Sequence, residues 1–223
     1  MSKLYHYVHC PFCVRVRMSL GWLKIPYQSN VLAYDDESTP LGLTSVKMLP
    51  IFVSNEGVAR NESLEIIQLL DKNQTLSFDH YESHKVEIEK LLSEIGSPVH
   101  NLAMPYWIWS PEFDQQSRAY FQAKKELKRG PFYKLVERRD DFIKELATIF
   151  NDLSPNLTPF FKSNQMSIVD IMLASHLWGL YVVPEFQFPK FMHDYLMRVK
   201  ELCHFNYHQD FWQNENFIAK RSL

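Results

Sequence analysis

The hydrophobic positions of this chain change their period once, near residue 80. Before that point, short apolar runs alternate with helical stripes. Lys3 to Val8 carries Leu4, Tyr5, Tyr7 and Val8 and predicts a strand. Val14, Met18 and Trp22 recur at helical spacing, with Val16, Leu20 and Leu23 beside them, and Ile25-Pro26 ends that helix. Tyr27 to Leu32 predicts a second strand. The polar run Asp35-Asp36-Glu37-Ser38-Thr39-Pro40 reads as a loop leading into a short helix. Ile51-Phe52-Val53, the turn Asn55-Glu56-Gly57 and Val58-Ala59 predict a β-hairpin. Leu64, Ile67 and Leu70 then mark a helix that begins near Glu62-Ser63.

After residue 80 the strand signal is gone. Ile88, Leu91, Leu92, Ile95, Val99, Leu102 and Ala103 predict a long amphipathic helix bent at Pro98. Ala119 to Leu127 continues as helix until Gly130-Pro131 breaks it. Phe132, Leu135, Val136, Ile143, Leu146 and Ile149 form another apolar stripe. Ser167-Ile168-Val169-Asp170 opens a further helix as a capping box, and Pro189 stands where a last helix should start. The order β-α-β-α-β-β-α over residues 1–72 is the minimal thioredoxin-like α/β arrangement. The polar stretch Asp71 to Asp79 marks the connection, giving a linker over 73–84 and an all-α helical bundle over 85–223. There is no internal repeat.

Composition narrows the function classes. The formal net charge of −2, with 22% charged and 46% hydrophobic residues, offers no global field to gather nucleic acid or an anionic membrane. The cluster Lys124, Lys125, Lys128 and Arg129 reads as a solvated helix face. The most apolar stretch, Ile168 to Val183, is interrupted by Asp170, Ser175 and His176 and is shorter than a membrane span. Met1 to His6 carries no apolar run of signal-peptide type. Only three cysteines are present, two of them close together, so a secreted disulfide scaffold is not expected. The expected compartment is the reducing cytoplasm.

The candidate chemistry is Cys10-Pro11-Phe12-Cys13, placed after a strand and at the mouth of a helix. Pro11 suits the first helical position, which puts Cys10 at the N-cap, facing free N–H groups and the positive end of the helix dipole. Both favour thiolate. A free thiol titrates near ~8.5, and such sites fall to ~3.5–7.5, which makes the sulfur both a nucleophile and a good leaving group. Cys13, one turn in, is placed as a resolving thiol. Arg15 and Arg17 read as solvated side chains that can add positive potential. A structural zinc site would take a further Cys or His pair at similar spacing. His6 and His9 are near, whereas Cys203-His204 lies far along the chain. An inert thiol pair, or an iron–sulfur cluster held between two molecules through Cys10, is also compatible with the spacing.

These residues resemble the glutaredoxin 2 family, glutaredoxins on a glutathione-transferase-like two-domain frame. The resemblance runs through His9-Cys10-Pro11-Phe12-Cys13, Asp35-Asp36 with Thr39-Pro40, Lys47-Met48-Leu49-Pro50 and Glu62-Ser63, and more loosely through Ser167 to Asp170. The family more often has Tyr at the position of Phe12, so this chain lacks a hydroxyl but keeps the aromatic wall. The resemblance implies a glutathione-dependent thiol–disulfide oxidoreductase that reduces protein disulfides and glutathione mixed disulfides. Glutathione would be the reducing co-substrate, with no metal. Cys10 and Cys13 are then catalytic. Phe12, Lys47, Leu49, Pro50, Glu62 and Ser63 are expected to bind glutathione. Among them Pro50 would be a cis-proline that turns Leu49 outward. Lys47 would face the glycine carboxylate, with Glu62 and Ser63 at the γ-glutamyl end. Ser63 also reads as a simple N-cap. Asp170 would be a structural helix-capping acid, and Cys203 a buried small hydrophobe. An omega-like transferase or dehydroascorbate reductase, or a non-catalytic binding protein on the same frame, would use the same fold. The expected partners are glutathione and glutathionylated or disulfide-containing proteins, neither nucleic acid nor membrane, with a monomer compatible. Trp107, Trp109, Tyr106, Trp178 and Tyr181 read mostly as core.

Overall fold

A computed structural model describes residues 1–184 and 186–205; the tail of the expected helical domain, 206–223, lies outside the described residues. The first half alternates as the pattern predicts: β1 (Lys3–His6), α1 (Pro11–Trp22), β2 (Gln28–Val31), α2 (Ser38–Thr44), β3 (Ile51–Val53), β4 (Ala59–Arg60) and α3 (Ser63–Leu70). The four strands form one mixed sheet in the order β2-β1-β3-β4. β1 runs parallel to β2 and antiparallel to β3, with Leu4 opposite both Ser29 and Phe52. The helical half contains α4 (Phe78–Trp107), α5 (Gln115–Arg129), α6 (Phe132–Glu137), α7 (Arg139–Leu153), α8 (Ile168–Leu177) and α9 (Lys190–Leu202). No helix among the described residues is long and apolar enough to cross a membrane.

The two halves share one core. α8 is buried along its whole length and packs against both α1 and α4, which explains why its sequence is apolar all round. Its capping box forms as the sequence predicts: Ser167 Oγ accepts from the Val169 N–H, and Asp170 accepts from the Ser167 N–H at 2.8 Å. Asp170 also accepts from the Phe161 N–H and the Tyr195 hydroxyl, each at 2.8 Å. Cys203 is buried in this same core.

Two expectations are corrected. The linker expected over 73–84 is shorter than that, because α4 begins at Phe78. The connection is a tight turn whose N–H groups are gathered by Asp71, which accepts from the Thr75 and Leu76 amides at 2.9 and 2.8 Å. Leu76 in turn accepts from the Ile168 N–H at 2.7 Å, which fixes the turn to the start of α8. The long helix expected around Pro98 is α4, which runs through both Pro98 and Pro105. The second correction is that Arg15 and Arg17 are buried: α1 packs against both α3 and α8, and most of its residues are covered.

Among the glycines, Gly21 lies most tightly against another stretch of backbone. A Cβ there would lie 1.9 Å from the Cys203 carbonyl oxygen, where the end of α9 crosses α1. Gly21→Ala must therefore push one backbone away from another rather than move a side chain. It is expected to cost about 2–3 kcal/mol, as overpacking does, read from the urea midpoint.

Candidate active site

The chain leaves β1 and enters α1 through His9 and Cys10. Cys10 is the N-cap, with extended φ −73° and ψ 123°, and Pro11 is the first helical residue. The Cys10 thiol is partly exposed and is drawn down from its ordinary value to about 6. The largest cause is the hydrogen bond with the Cys13 thiol; burial opposes it, and the N–H of Cys13, the electrostatic pull of His9 and the N–H of Phe12 add to it. No backbone N–H forms a full capping bond to the sulfur, so the helix start acts through its field. Cys13 is 0% exposed and accepts the Tyr7 N–H at 3.4 Å. Burial, and then the neighbouring Cys10 sulfur, hold its thiol well above the ordinary range. The two cysteines are therefore electrostatically unequal. Because only the thiolate reacts, lowering the Cys10 value raises the reactive fraction at pH 7 to about nine-tenths. Iodoacetamide labelling of Cys10 is expected to rise through a midpoint near pH 6 and level off by pH 7. Cys203, buried with its thiol pushed up by desolvation, should label only on unfolding.

Of the other expected site residues, Leu49 packs with Cys13, and Ser63 meets Arg15 of α1, the helix that holds Cys13. The Leu49–Pro50 peptide bond is cis. The Leu49 side chain packs with Tyr7, Cys13 and Ile51, and its backbone N–H and C=O take no backbone partner among the described residues. Phe12 is 46% exposed, with the Arg15 guanidinium 5.1 Å from its ring centre and the His176 ring edge-on at 5.6 Å. Glu62 is the N-cap of α3 and is exposed; Ser63 sits at the first helical position rather than at the cap. Ser63 Oγ accepts a hydrogen bond from Arg15 at 3.2 Å. Lys47 is not a free surface cation. Its ammonium donates to Glu37 at 3.1 Å and to the Tyr120 hydroxyl at 3.0 Å. Tyr120 and Lys124 of α5 also donate to Glu37, and these donors hold its carboxyl down to about 2, the Tyr120 hydroxyl contributing most. The basic face of α5 is thus partly turned onto the sheet half rather than into solvent. Lys125 lies over the rings of Tyr34 and Phe121, 5.5 and 5.3 Å from their centres, and burial lowers its ammonium value.

Sequence reasoning passed over the pairing of His9 with Glu112. His9 Nδ1 donates to the Glu112 carboxylate across the two halves, and both side chains are only 4% exposed. The His9 ring is walled by Trp107 and Phe113, each 5.2 Å away between ring centres, with Tyr7 and Phe121 beside them. Glu112 is 103 positions along the chain from His9, so no local spacing announces the pair. Of the aromatic residues, Trp107 and Trp178 are core, while Trp109 is exposed beneath Arg118. Among the described residues, no group of three or more His, Cys, Asp or Glu side chains converges on a point that could hold a metal ion.

Comparison with known proteins follows this geometry. Residues 87–211 match the family described as Glutaredoxin 2, C terminal domain, and residues 4–78 match the Glutathione S-transferase, N-terminal domain. Glutaredoxin 2 of Escherichia coli strain K12 is 30% identical over 200 residues, covering 86% of this chain and 91% of that protein. The crystal structure of Glutaredoxin 2 from Salmonella typhimurium in complex with glutathione superposes with a TM-score of 0.83 at 30% identity, covering 93% of this chain and 96% of that one. A glutathione S-transferase of Ceriporiopsis subvermispora, solved with glutathione, shares the fold at a TM-score of 0.74 and 19% identity, over 92% of this chain and 98% of that one. With a family match across more than half its length and a relative of this identity along most of it, the chain belongs to the glutaredoxin 2 family.

Proposed function

We propose that this protein is a glutathione-dependent thiol–disulfide oxidoreductase whose working groups are Cys10 and Cys13. The observation that carries the reading is the inequality of the two sulfurs: one at a helix N-cap and ionised near neutrality, the other buried and holding its proton. On a glutathione mixed disulfide, the Cys10 thiolate attacks the glutathionyl sulfur and the substrate leaves as thiolate. The thiolate of a second glutathione then attacks that same glutathionyl sulfur. Oxidised glutathione departs and the Cys10 thiolate is restored. On a protein disulfide, the Cys10 thiolate attacks one substrate sulfur, the substrate S–S bond breaks and the other substrate sulfur leaves as thiolate, giving a Cys10–substrate mixed disulfide. Cys13 gives up its proton, attacks the Cys10 sulfur and releases the second substrate thiol. Two glutathione molecules then reduce the Cys10–Cys13 disulfide.

The binding surface in this reading is the cis turn and the start of α3. The N–H and C=O of Leu49, without a backbone partner among the described residues, suit the extended backbone of a peptide, with Pro50 shaping the turn and Phe12 forming a wall. Glu62 suits the γ-glutamyl amine, while Ser63 and the free N–H groups of α3 suit its carboxylate. Lys47 reaches the glycine carboxylate only after exchanging its contact with Glu37. The substrates in this reading are glutathionylated and disulfide-containing proteins of a reducing compartment.

The test is turnover of a glutathionylated peptide, coupled to reduction of the oxidised glutathione released, beside conjugation of an aryl halide. Turnover of the mixed disulfide with little conjugation is expected. Conjugation without mixed-disulfide turnover would assign the site to a transferase, and neither activity would assign the frame to a binding protein.

A further inference from the structure

Arg15 projects from the first turns of α1 into the junction of α1, α3 and α8. It is 3% exposed, yet no carboxylate pairs with it among the described residues, and its Nε has no hydrogen-bond partner. Its one hydrogen bond goes to Ser63 Oγ at 3.2 Å, and the faces nearby are the Phe12 and His176 rings. Burial pulls the guanidinium value down to about 10, with the Cys10 sulfur the first of two groups that oppose it. A buried cation that no carboxylate pairs with is among the more expensive features a core can hold, and proteins that keep one generally pair it.

Ser63 is unfinished in the complementary sense. Arg is a donor with no acceptor, so the Ser63 hydroxyl cannot donate back to it. The lone pair facing Arg15 is occupied, and the Ser63 hydroxyl proton has no acceptor among the described residues. That hydroxyl stands at the first position of the eight-residue helix α3, beside its free N–H groups and the positive end of its dipole. A buried guanidinium, a hydroxyl aimed away from it and a helix start all call for one negative group at one place. Water could satisfy the hydroxyl but not the charge.

We propose that Arg15 is a positioning residue for the γ-glutamyl carboxylate of glutathione: it orients the Ser63 hydroxyl toward that carboxylate and supplies the buried counter-charge. This rests on the glutathione reading of the site above. Arg15 acts through Ser63 and through its field rather than by touching the ligand, which its burial prevents. The arrangement makes the site selective for a charged end group. A peptide that offers the same thiol and amine without the carboxylate leaves the guanidinium uncompensated.

The experiment compares two probes on the full chain: S-methylglutathione, and its analogue with 4-aminobutanoyl in place of γ-glutamyl, which keeps the amine and loses only that carboxylate. Binding of each is measured by calorimetry and by protection of Cys10 from iodoacetamide. Wild type is expected to prefer S-methylglutathione by about tenfold to hundredfold, the worth of a charge-assisted hydrogen bond. Arg15→Gln is expected to reduce that preference to within about threefold, and Arg15→Lys to retain a larger share of it. Ser63→Ala, which leaves the buried cation in place, should lose the preference to a similar degree, and the double variant should lose no more than either single one. An undiminished preference in Arg15→Gln or in Ser63→Ala would overturn the assignment. So would a change in Arg15→Gln confined to the Cys10 labelling profile, because Arg15 would then serve the thiolate. If wild type binds neither probe, the glutathione reading itself falls; if it binds both and only the variants fail to change, that reading stands and the role of Arg15 does not.

Discussion

Cys10→Ser is expected to lower turnover of a glutathionylated peptide by at least about a thousandfold, while Cys13→Ser keeps it within about threefold of wild type. The asymmetry follows from the two environments. The substitution at position 10 removes the only sulfur that is both reachable and ionised near neutrality, and a serine hydroxyl there is neither a comparable nucleophile nor a redox group. Cys13 is sealed beneath it and keeps its proton, so a single-exchange cycle with glutathione proceeds without it. Reduction of an intramolecular protein disulfide is different, because release of the second substrate thiol needs a second attacking sulfur. There Cys13→Ser should accumulate a mixed disulfide with substrate, visible as a mass adduct that dithiothreitol removes. Cys13→Ser also replaces the thiol donor of the hydrogen bond that contributes most to lowering the Cys10 value. A serine hydroxyl can still donate to the sulfur, so the labelling midpoint should move upward from about 6 but stay below that of free cysteine. Wild-type activity in Cys10→Ser would remove the mechanism altogether.

Asp170→Ala is expected to destabilise the chain by about 3–5 kcal/mol without touching the cysteines. The carboxylate is fully buried and accepts four hydrogen bonds: from the Phe161 and Ser167 N–H groups, the Ser167 hydroxyl and the Tyr195 hydroxyl. Alanine leaves all four donors inside a packed core with nothing to meet and also dismantles the cap of α8. Asp170→Asn keeps one accepting oxygen but turns an amide toward donors, and should lose about half as much. Urea midpoints measure both. A fall of about 10 °C in melting temperature would accompany the alanine variant in a chain of this size. A loss below about 1 kcal/mol would show that water replaces the carboxylate and that the network is not structural.

What can be read from the sequence is whatever depends on neighbours along the chain. The helix after Cys10, the hairpin at residues 51–60 and the capping box at Ser167 are each specified within a few positions, by Pro placement, alternation and side-chain caps. The Cys-Pro-Phe-Cys segment is legible for the same reason. What escapes depends on contacts between distant segments. Arg15 reads as a solvated side chain because nothing near it shows that α8, some 150 positions later, covers that face of α1. The lysines of α5 read as an ordinary polar face because Glu37 and Tyr34, their partners, belong to the other half. His9 reads as a passenger of the motif until Glu112 is folded against it. The connection at residues 71–77 reads as slack because its residues are polar, whereas that polarity satisfies its own turn.

That turn bears on how the molecule can be divided. Leu76 is held by Ile168, and α1 lies against α8, so one face of the helix that starts at the cysteine pair is walled by residues more than a hundred positions away. A fragment ending at residue 72 would therefore bare to water the side of α1 that α8 covers, Arg15 beside His176 included. Such a fragment should be a poor autonomous unit, and the intact chain should melt in a single calorimetric event. The helical half is in this sense the scaffold on which the smaller half becomes foldable, and transplanting the first 72 residues onto another partner should work only if a helix equivalent to α8 comes with it.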